Sequence, residues 1–537
     1  MTYYTISFYN YVQTDGRKLY DRLLCPSTGV KGGEIQFSGK TTRPPAYVPK
    51  ERWIFMKQDL NHGQQLSCFK LTGVAVGSTI ASGAFSLSGD MAAAGAGTAA
   101  ILCGWLLCGL GMLGLVVCFY HLSRVKPGLT GGIYSYARAG FGDYAGFNSA
   151  WGYWISNFLG NVSFATLMFA ALGHFFPVFG AGNNLASVVG ASAVTWLSVL
   201  LVLRGMKAAA LINLLVTFAK LIPIFLFILA VIFLKAFDPQ IFFFNFMGED
   251  TGLPFSRQVM ATTYTTAWAF IGVEGAVVIS GRARTSQDAG RATVISYLCV
   301  LMIYILISVL SMGVMTRGQL AQLGNPPLAD VMRQVVGPWG GNLINAGVVL
   351  SLLGATLGHT IISAECAYEA ASKGSFCKLF AMEGKSGAPI AALLITGALV
   401  QLFLVIVYKS ASTYQIFYTI STTMMVIPYL LTALYYWQLA AHRPESLEHA
   451  GIHPARGRLA AVIGILYGVW LIYSGGLTAL LVSALLYTPG TLIYMKGKGE
   501  QHLPPFYRMR DKVLLTLILS IFTISLALRG QGGLDPF

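Results

Sequence analysis

An all-α membrane protein is the fold class that the sequence predicts, and three observations predict it. Only 11% of the 537 residues are charged and 55% are hydrophobic, whereas a soluble domain carries about a quarter charged residues. Apolar segments of roughly 18–25 residues, the length a helix needs to cross the hydrocarbon, recur along most of the chain. Between them Lys and Arg collect in alternate loops, which is a topology signal. The sixty glycines fit the same class, because close helix packing in lipid favours small residues.

Taken in order, residues 1 to about 66 form a polar N-terminal extension with Pro44, Pro45 and Pro49 and no apolar signal-peptide region. Met56 would begin a short cytoplasmic tail, so a mis-set start explains the extension. A genuine soluble extension is the alternative, and no function is assigned to it. A transporter core follows over 67–495. Its expected spans are 69–93, 97–123, 144–176, 186–204, 208–234, 258–281, 293–314, 342–370, 388–408, 413–438, 459–475 and 476–495. Residues 496–537 supply a cytoplasmic loop and a thirteenth span at 512–529, giving twelve core spans plus one.

Charge orients these spans. One set of loops holds nineteen Lys and Arg, among them Arg124, Arg138, Arg282, Lys373, Arg456 and Lys498. The opposite set and the C-terminus hold six: Lys235, Arg257, Arg317, Arg333, Lys409 and Arg529. Positive charge is retained in the cytoplasm, so the first span starts inside. The formal charge of +15 is therefore a topology feature, not a nucleic-acid footprint. Most of the eight cysteines lie in apolar spans without metal spacing and read as small core residues. No H-E-x-x-H, Walker loop or G-x-S-x-G elbow occurs, so nothing points to an enzyme or a cofactor. His449 and His453 sit in a Pro- and charge-bearing loop that reads as solvated, not as a metal site.

Two spans carry features that a purely structural helix avoids. The first reads Gly77-Ser78-Thr79-Ile80-Ala81-Ser82-Gly83 near the bilayer midplane, and the sixth reads Trp268-Ala269-Phe270-Ile271-Gly272-Val273-Glu274-Gly275-Ala276. Glycine weakens a helix, and the freed N–H and C=O groups must find partners in lipid. The plain alternative is tight helix packing. The pairing of the two stretches, five spans apart and with an acid in one, points instead to a binding site between broken helices. Charges at membrane depth are costly, which singles out Glu274 in the sixth span and Lys220 in the fifth. Glu365 and His359 in the eighth span have structural readings beside the functional ones.

These residues resemble a known family. From about Leu71 to Met495 the chain looks like the basic amino acid/polyamine antiporters of the amino acid–polyamine–organocation (APC) superfamily, and within them the bacterial arginine/ornithine exchangers. The likeness rests on Gly83-Ala84-Phe85-Ser86-Leu87 with Asp90-Met91-Ala92-Ala93, on Gly131-Gly132-Ile133-Tyr134-Ser135-Tyr136-Ala137-Arg138, on Ala150-Trp151-Gly152-Tyr153-Trp154, on Trp268 to Ala276, and on Ile427-Pro428-Tyr429. It implies a LeuT-like (APC) fold, an inverted 5+5 helix repeat with helices 1 and 6 broken. It also implies that the substrate carboxylate meets N–H groups at Ser82 and Gly83, and its α-amino group carbonyls at Thr79, Trp268 and Ile271. Trp268 would cover the substrate from outside. Asn161 would touch its far end, with Ser156, Asn157 and Ser421 completing that pocket. Tyr153, Glu274 and Tyr429 would form the inner gating cluster. Lys220 resembles a lysine that, in sodium-independent relatives, occupies the place of a sodium ion. At the position of His359 those exchangers usually carry tryptophan, whose face stacks on a guanidinium. Imidazole offers a smaller surface and, when protonated, repels a cation.

The function expected from the resemblance is antiport in the inner (cytoplasmic) membrane, an external basic amino acid for an internal product, arginine for ornithine first. Alternatives are a proton-coupled symporter, another pair such as histidine/histamine or lysine/cadaverine, and, from a different class, a membrane sensor. The partners expected are amino acid or amine substrates and the lipid bilayer, with a homodimer left open and nucleic acid excluded.

Overall fold

The computed structural model describes residues 66–410 and 414–530. The polar extension, with Met56 in it, lies outside the described residues. Within them the chain is a bundle of long helices with two isolated β-bridges and no strand. The first span is two helices, α1 (Cys68–Thr79) and α2 (Gly83–Ala93). After α3 (Thr98–Val125) a short amphipathic helix, α4 (Ile133–Phe141), leads into α5 (Asp143–Gly173). Next come α6 (Leu185–Arg204) and α7 (Met206–Phe233). The sixth span is again divided, into α8 (Phe255–Ala269) and the single turn α9 (Gly275–Val278). Then follow α10 (Ser286–Val314), α11 (Pro338–Ser372), α12 (Ile390–Ser410), α13 (Tyr414–His442), α14 (Pro454–Gly499) and α15 (Met509–Gly530).

Among the described residues, eleven helical segments are long and apolar enough to cross a membrane. One of them, α14, has 46 residues, about twice what a bilayer needs. It turns at Gly476, whose φ of 66° is left-handed backbone that glycine adopts readily, so it supplies two spans. The divided sixth span falls short of the length in either part. Adding both accounts for the thirteen segments expected.

Burial follows from sequence period. On α7 the residues Asn213, Thr217, Lys220, Ile224, Phe227 and Val231, spaced by threes and fours, are buried. The opposite stripe of Leu211, Leu215, Phe218, Ile222, Phe225, Leu229 and Ile232 is exposed. One face therefore meets protein and the other lipid, which dissolves leucine as well as a protein core does. The α1–α2 pair and α5 are almost wholly enclosed, whereas α15 is mostly exposed. One of the two most enclosed spans is thus the one interrupted by Ile80-Ala81-Ser82, which the fold surrounds with α7, α10 and α11.

Candidate functional site

A helix end leaves its last four carbonyls without intrahelical donors, and lipid offers none. At the end of α1 each of them has found one. The cap residue Ile80 closes the last helical bond, onto the Val76 carbonyl at 2.9 Å, so the four are those of Gly77 to Ile80. The Lys220 ammonium donates to the carbonyls of Gly77 and Ile80 together. Ser78 carbonyl faces His359 Nε2 at 3.3 Å. Thr79 carbonyl takes the Tyr304 hydroxyl at 2.8 Å and Ala81 N–H at 2.9 Å, so both its acceptor positions are filled. Ser351 Oγ adds a second donor to the Ile80 carbonyl at 3.2 Å. The fully buried Lys220 is therefore a clamp across the break.

The second break lies against the first. Ser78 Oγ donates to the Gly272 carbonyl at 3.1 Å. Gly272 has φ of +106°, and a Cβ there would stand 3.0 Å from the Ser78 backbone, so this crossing requires glycine. The N–H of Gly272 points back at the Glu274 carboxylate at 3.1 and 3.3 Å. That carboxylate also accepts from the Tyr429 hydroxyl at 2.7 Å. Tyr153 faces the same carboxylate from α5 but stands outside hydrogen-bond geometry. All three groups are buried, so Glu274 ties the sixth span to α13.

On the other side of the breaks, Trp268 Nε1 donates to Ser82 Oγ at 2.9 Å. Its ring stacks on Tyr418 at 5.6 Å between centroids and leans on Phe164 at 5.5 Å. A Cβ at Gly160 would meet Trp268 at 3.2 Å and His359 Nδ1 at 3.5 Å, so both rings converge on that point of α5. Asn157 lies one turn before it and Asn161 directly after it. Asn157 Nδ2 donates to the Tyr153 carbonyl at 2.8 Å. Asn161 Nδ2 reaches Thr360 Oγ1 at 3.4 Å, and that hydroxyl already donates to Thr356. Both amides are thereby oriented with Oδ1 as the remaining acceptor, and neither Oδ1 has a partner. A carbonyl can only accept, so the bond at His359 Nε2 calls for the tautomer protonated there, and in that tautomer Nδ1, which has no partner, is a third acceptor. Ser421 donates to the Ser156 carbonyl at 2.6 Å, and the two hydroxyls lie 3.0 Å apart, joining α13 to α5.

The structure thus brings together Thr79, Ser82, Gly83, Trp268, Ile271 and His359 around the breaks, with Asn157 and Asn161 beside them. Lys220 sits behind α1, and Tyr153, Glu274 and Tyr429 lie on the cytoplasmic side. Glu365 is set apart. Arg282 grips it at 2.9 and 3.0 Å, which makes it a structural ion-pair partner near the inner surface. Sequence reading missed Tyr304, Ser351, Phe164 and Tyr418. A hydroxyl at membrane depth was the available signal for the first two, but many such hydroxyls only bond their own preceding turn, as Thr166 and Thr293 do.

A sequence profile described as "Amino acid permease" matches residues 66–502. The chain belongs to the amino acid permease family. The permease is 42% identical over 465 residues to an arginine/ornithine antiporter of Pseudomonas aeruginosa, covering 85% of this chain and 95% of the relative. It is 39% identical over 461 residues to a putative arginine/ornithine antiporter of Escherichia coli K12, covering 85% and 97%. To an arginine/agmatine antiporter of Chlamydia caviae it is 36% identical over 483 residues, covering 87% and 98%. This permease is accordingly a multi-pass amino acid transporter of the inner membrane and not an enzyme.

Proposed function

We propose that the permease exchanges an external basic amino acid for an internal relative, arginine for ornithine first, by alternating access across an inverted five-plus-five helix repeat. The observation that carries the cationic substrate is the set of three buried acceptors without partners: Asn157 Oδ1, Asn161 Oδ1 and His359 Nδ1. Unmatched buried acceptors cost free energy, and a guanidinium or ammonium offers only donors. The names of the relatives support the same class. At the substrate's other end, the first N–H groups of α2, at Ser82 and Gly83, have no intrahelical acceptor and suit a carboxylate. The Thr79 carbonyl is filled and the Trp268 carbonyl already accepts from Ile271 N–H at 3.1 Å, which favours the Ile271 carbonyl as the acceptor for the α-amino group. Trp268 roofs the site, Ser156 and Ser421 line its wall, and Tyr153, Glu274 and Tyr429 close it inward.

The test is counterflow. Proteoliposomes loaded with ornithine should accumulate external labelled arginine, and empty ones should not. Equal uptake by both would reject exchange and favour a symporter. Binding without any flux would indicate a sensor.

Lys220 gives a second expected outcome. Its ammonium already joins the carbonyls of Gly77 and Ile80, the place a small cation would take between the broken ends. Exchange should therefore run at the same rate in choline and in sodium buffer. A several-fold loss on removing sodium would overturn this role for Lys220.

A further inference from the structure

Asp90 lies on α2 seven residues beyond Gly83, hence two turns outward on nearly the same face. The first span starts inside, so Asp90 stands toward the external surface, above the site. Its carboxylate accepts from two side chains at the start of α13, the Tyr414 hydroxyl and Gln415 Nε2, the latter at 3.4 Å. Among the described residues no Lys, Arg or His forms an ion pair with it. Two acids of the outer loops, Asp250 and Asp330, differ. Asp250 is held by Arg317 at 2.5 Å, and Asp330 by Arg333. Arg317 also donates to the Ala92 carbonyl, so the cation at the outer end of α2 is spoken for.

Asp90 is also joined to the roof of the site. The Tyr414 ring packs on Tyr418 at 5.7 Å, and Tyr418 stacks on Trp268 at 5.6 Å with the planes 21° apart. Trp268 in turn bonds Ser82 at the break. A bond made at Asp90 is thus two ring contacts away from the indole that covers the substrate.

We propose that Asp90 forms an outer subsite for the cationic end of an arriving substrate and latches the external gate through Tyr414. Resting on the basic amino acid reading above, the inference works by exchange of partners. A guanidinium or ammonium makes a charge-assisted bond to the carboxylate that a neutral phenol cannot match. The cation therefore displaces the Tyr414 hydroxyl, frees the tilted Tyr414–Tyr418 pair from α2 and lets Trp268 swing from Ser82. The acid selects charge before the inner pocket selects shape.

Counterflow at varied external arginine, with citrulline as the neutral isosteric competitor, tests this. Asp90→Asn should raise the external KM for arginine about two- to fivefold, the range for one partly exposed charge pair, while inhibition by citrulline stays unchanged. Asp90→Glu should restore the parent KM, and Tyr414→Phe, which frees the carboxylate, should lower it. An unchanged KM in Asp90→Asn, an equal loss for arginine and citrulline, or a raised KM in Tyr414→Phe would each overturn the proposal. Should Asp90→Asn carry nothing, calorimetric binding of the two ligands to the solubilised protein applies the same criterion. Failure of the substrate reading shows differently, as no arginine uptake by the parent, and removes this inference with it.

Discussion

Lys220→Met should reduce exchange about ten- to a hundredfold, because it strips a buried carbonyl of its donor at a cost of ~1–3 kcal/mol. Gly77 is the group left bare. The Ile80 carbonyl keeps Ser351, but nothing else reaches Gly77 among the described residues. Methionine fills much of the space, so the loss reports the ammonium and not a cavity. Lys220→Arg should fail as well, since a planar fork cannot replace a compact ammonium held between two carbonyls. Counterflow rates at matched protein density measure the effect, with thermal unfolding in detergent beside them. A variant that keeps more than half the parent rate would show that the break holds without the clamp.

Trp268→Leu should weaken substrate binding about thirty- to several hundredfold. The substitution removes ring packing on Tyr418 and Phe164, worth ~0.5–1.5 kcal/mol for each aromatic pair, and a hydrogen bond worth about 1 kcal/mol. Those contacts hold the indole over the breaks, with Nε1 on Ser82 Oγ at 2.9 Å. Trp268→Phe keeps most of the packing and loses the N–H, so it should fall between parent and leucine. Calorimetry on the solubilised protein gives the affinities. Three equal values would make Trp268 a packing residue only.

The amino-acid sequence carried the parts of this architecture that depend on local chemistry. Glycines and hydroxyls at mid-span located both interruptions, and the turn at Gly476 falls where one span was expected to end and the next begin. Charge at membrane depth located Lys220 and Glu274. What it could not carry was pairing. Nothing near Lys220 names Gly77 and Ile80 as its acceptors, and Tyr304 sits in a span of ordinary apolar character. Asp90 was read only as part of a family-like stretch, because its partners Tyr414 and Gln415 lie more than three hundred residues away. The orientation of Asn157 and Asn161, and with it the cluster of free acceptors, likewise emerges only once α5 and α11 meet.

The break after α1 also sets an order of assembly. Its carbonyls wait for Lys220, Tyr304, Ser351 and His359, which follow in the chain by some 140 to 280 positions. When the first span leaves the ribosome, none of these donors exists. The cheapest state for it then is an unbroken helix, in which Gly77 bonds Ala81 N–H within its own ladder. The interruption cannot be held before Lys220 of the fifth span has been inserted and folded back, and its full set of donors is complete only with the eighth span. A nascent chain halted before Lys220 should therefore carry a continuous first helix, and cysteine cross-links that report the mature break should appear only in longer chains.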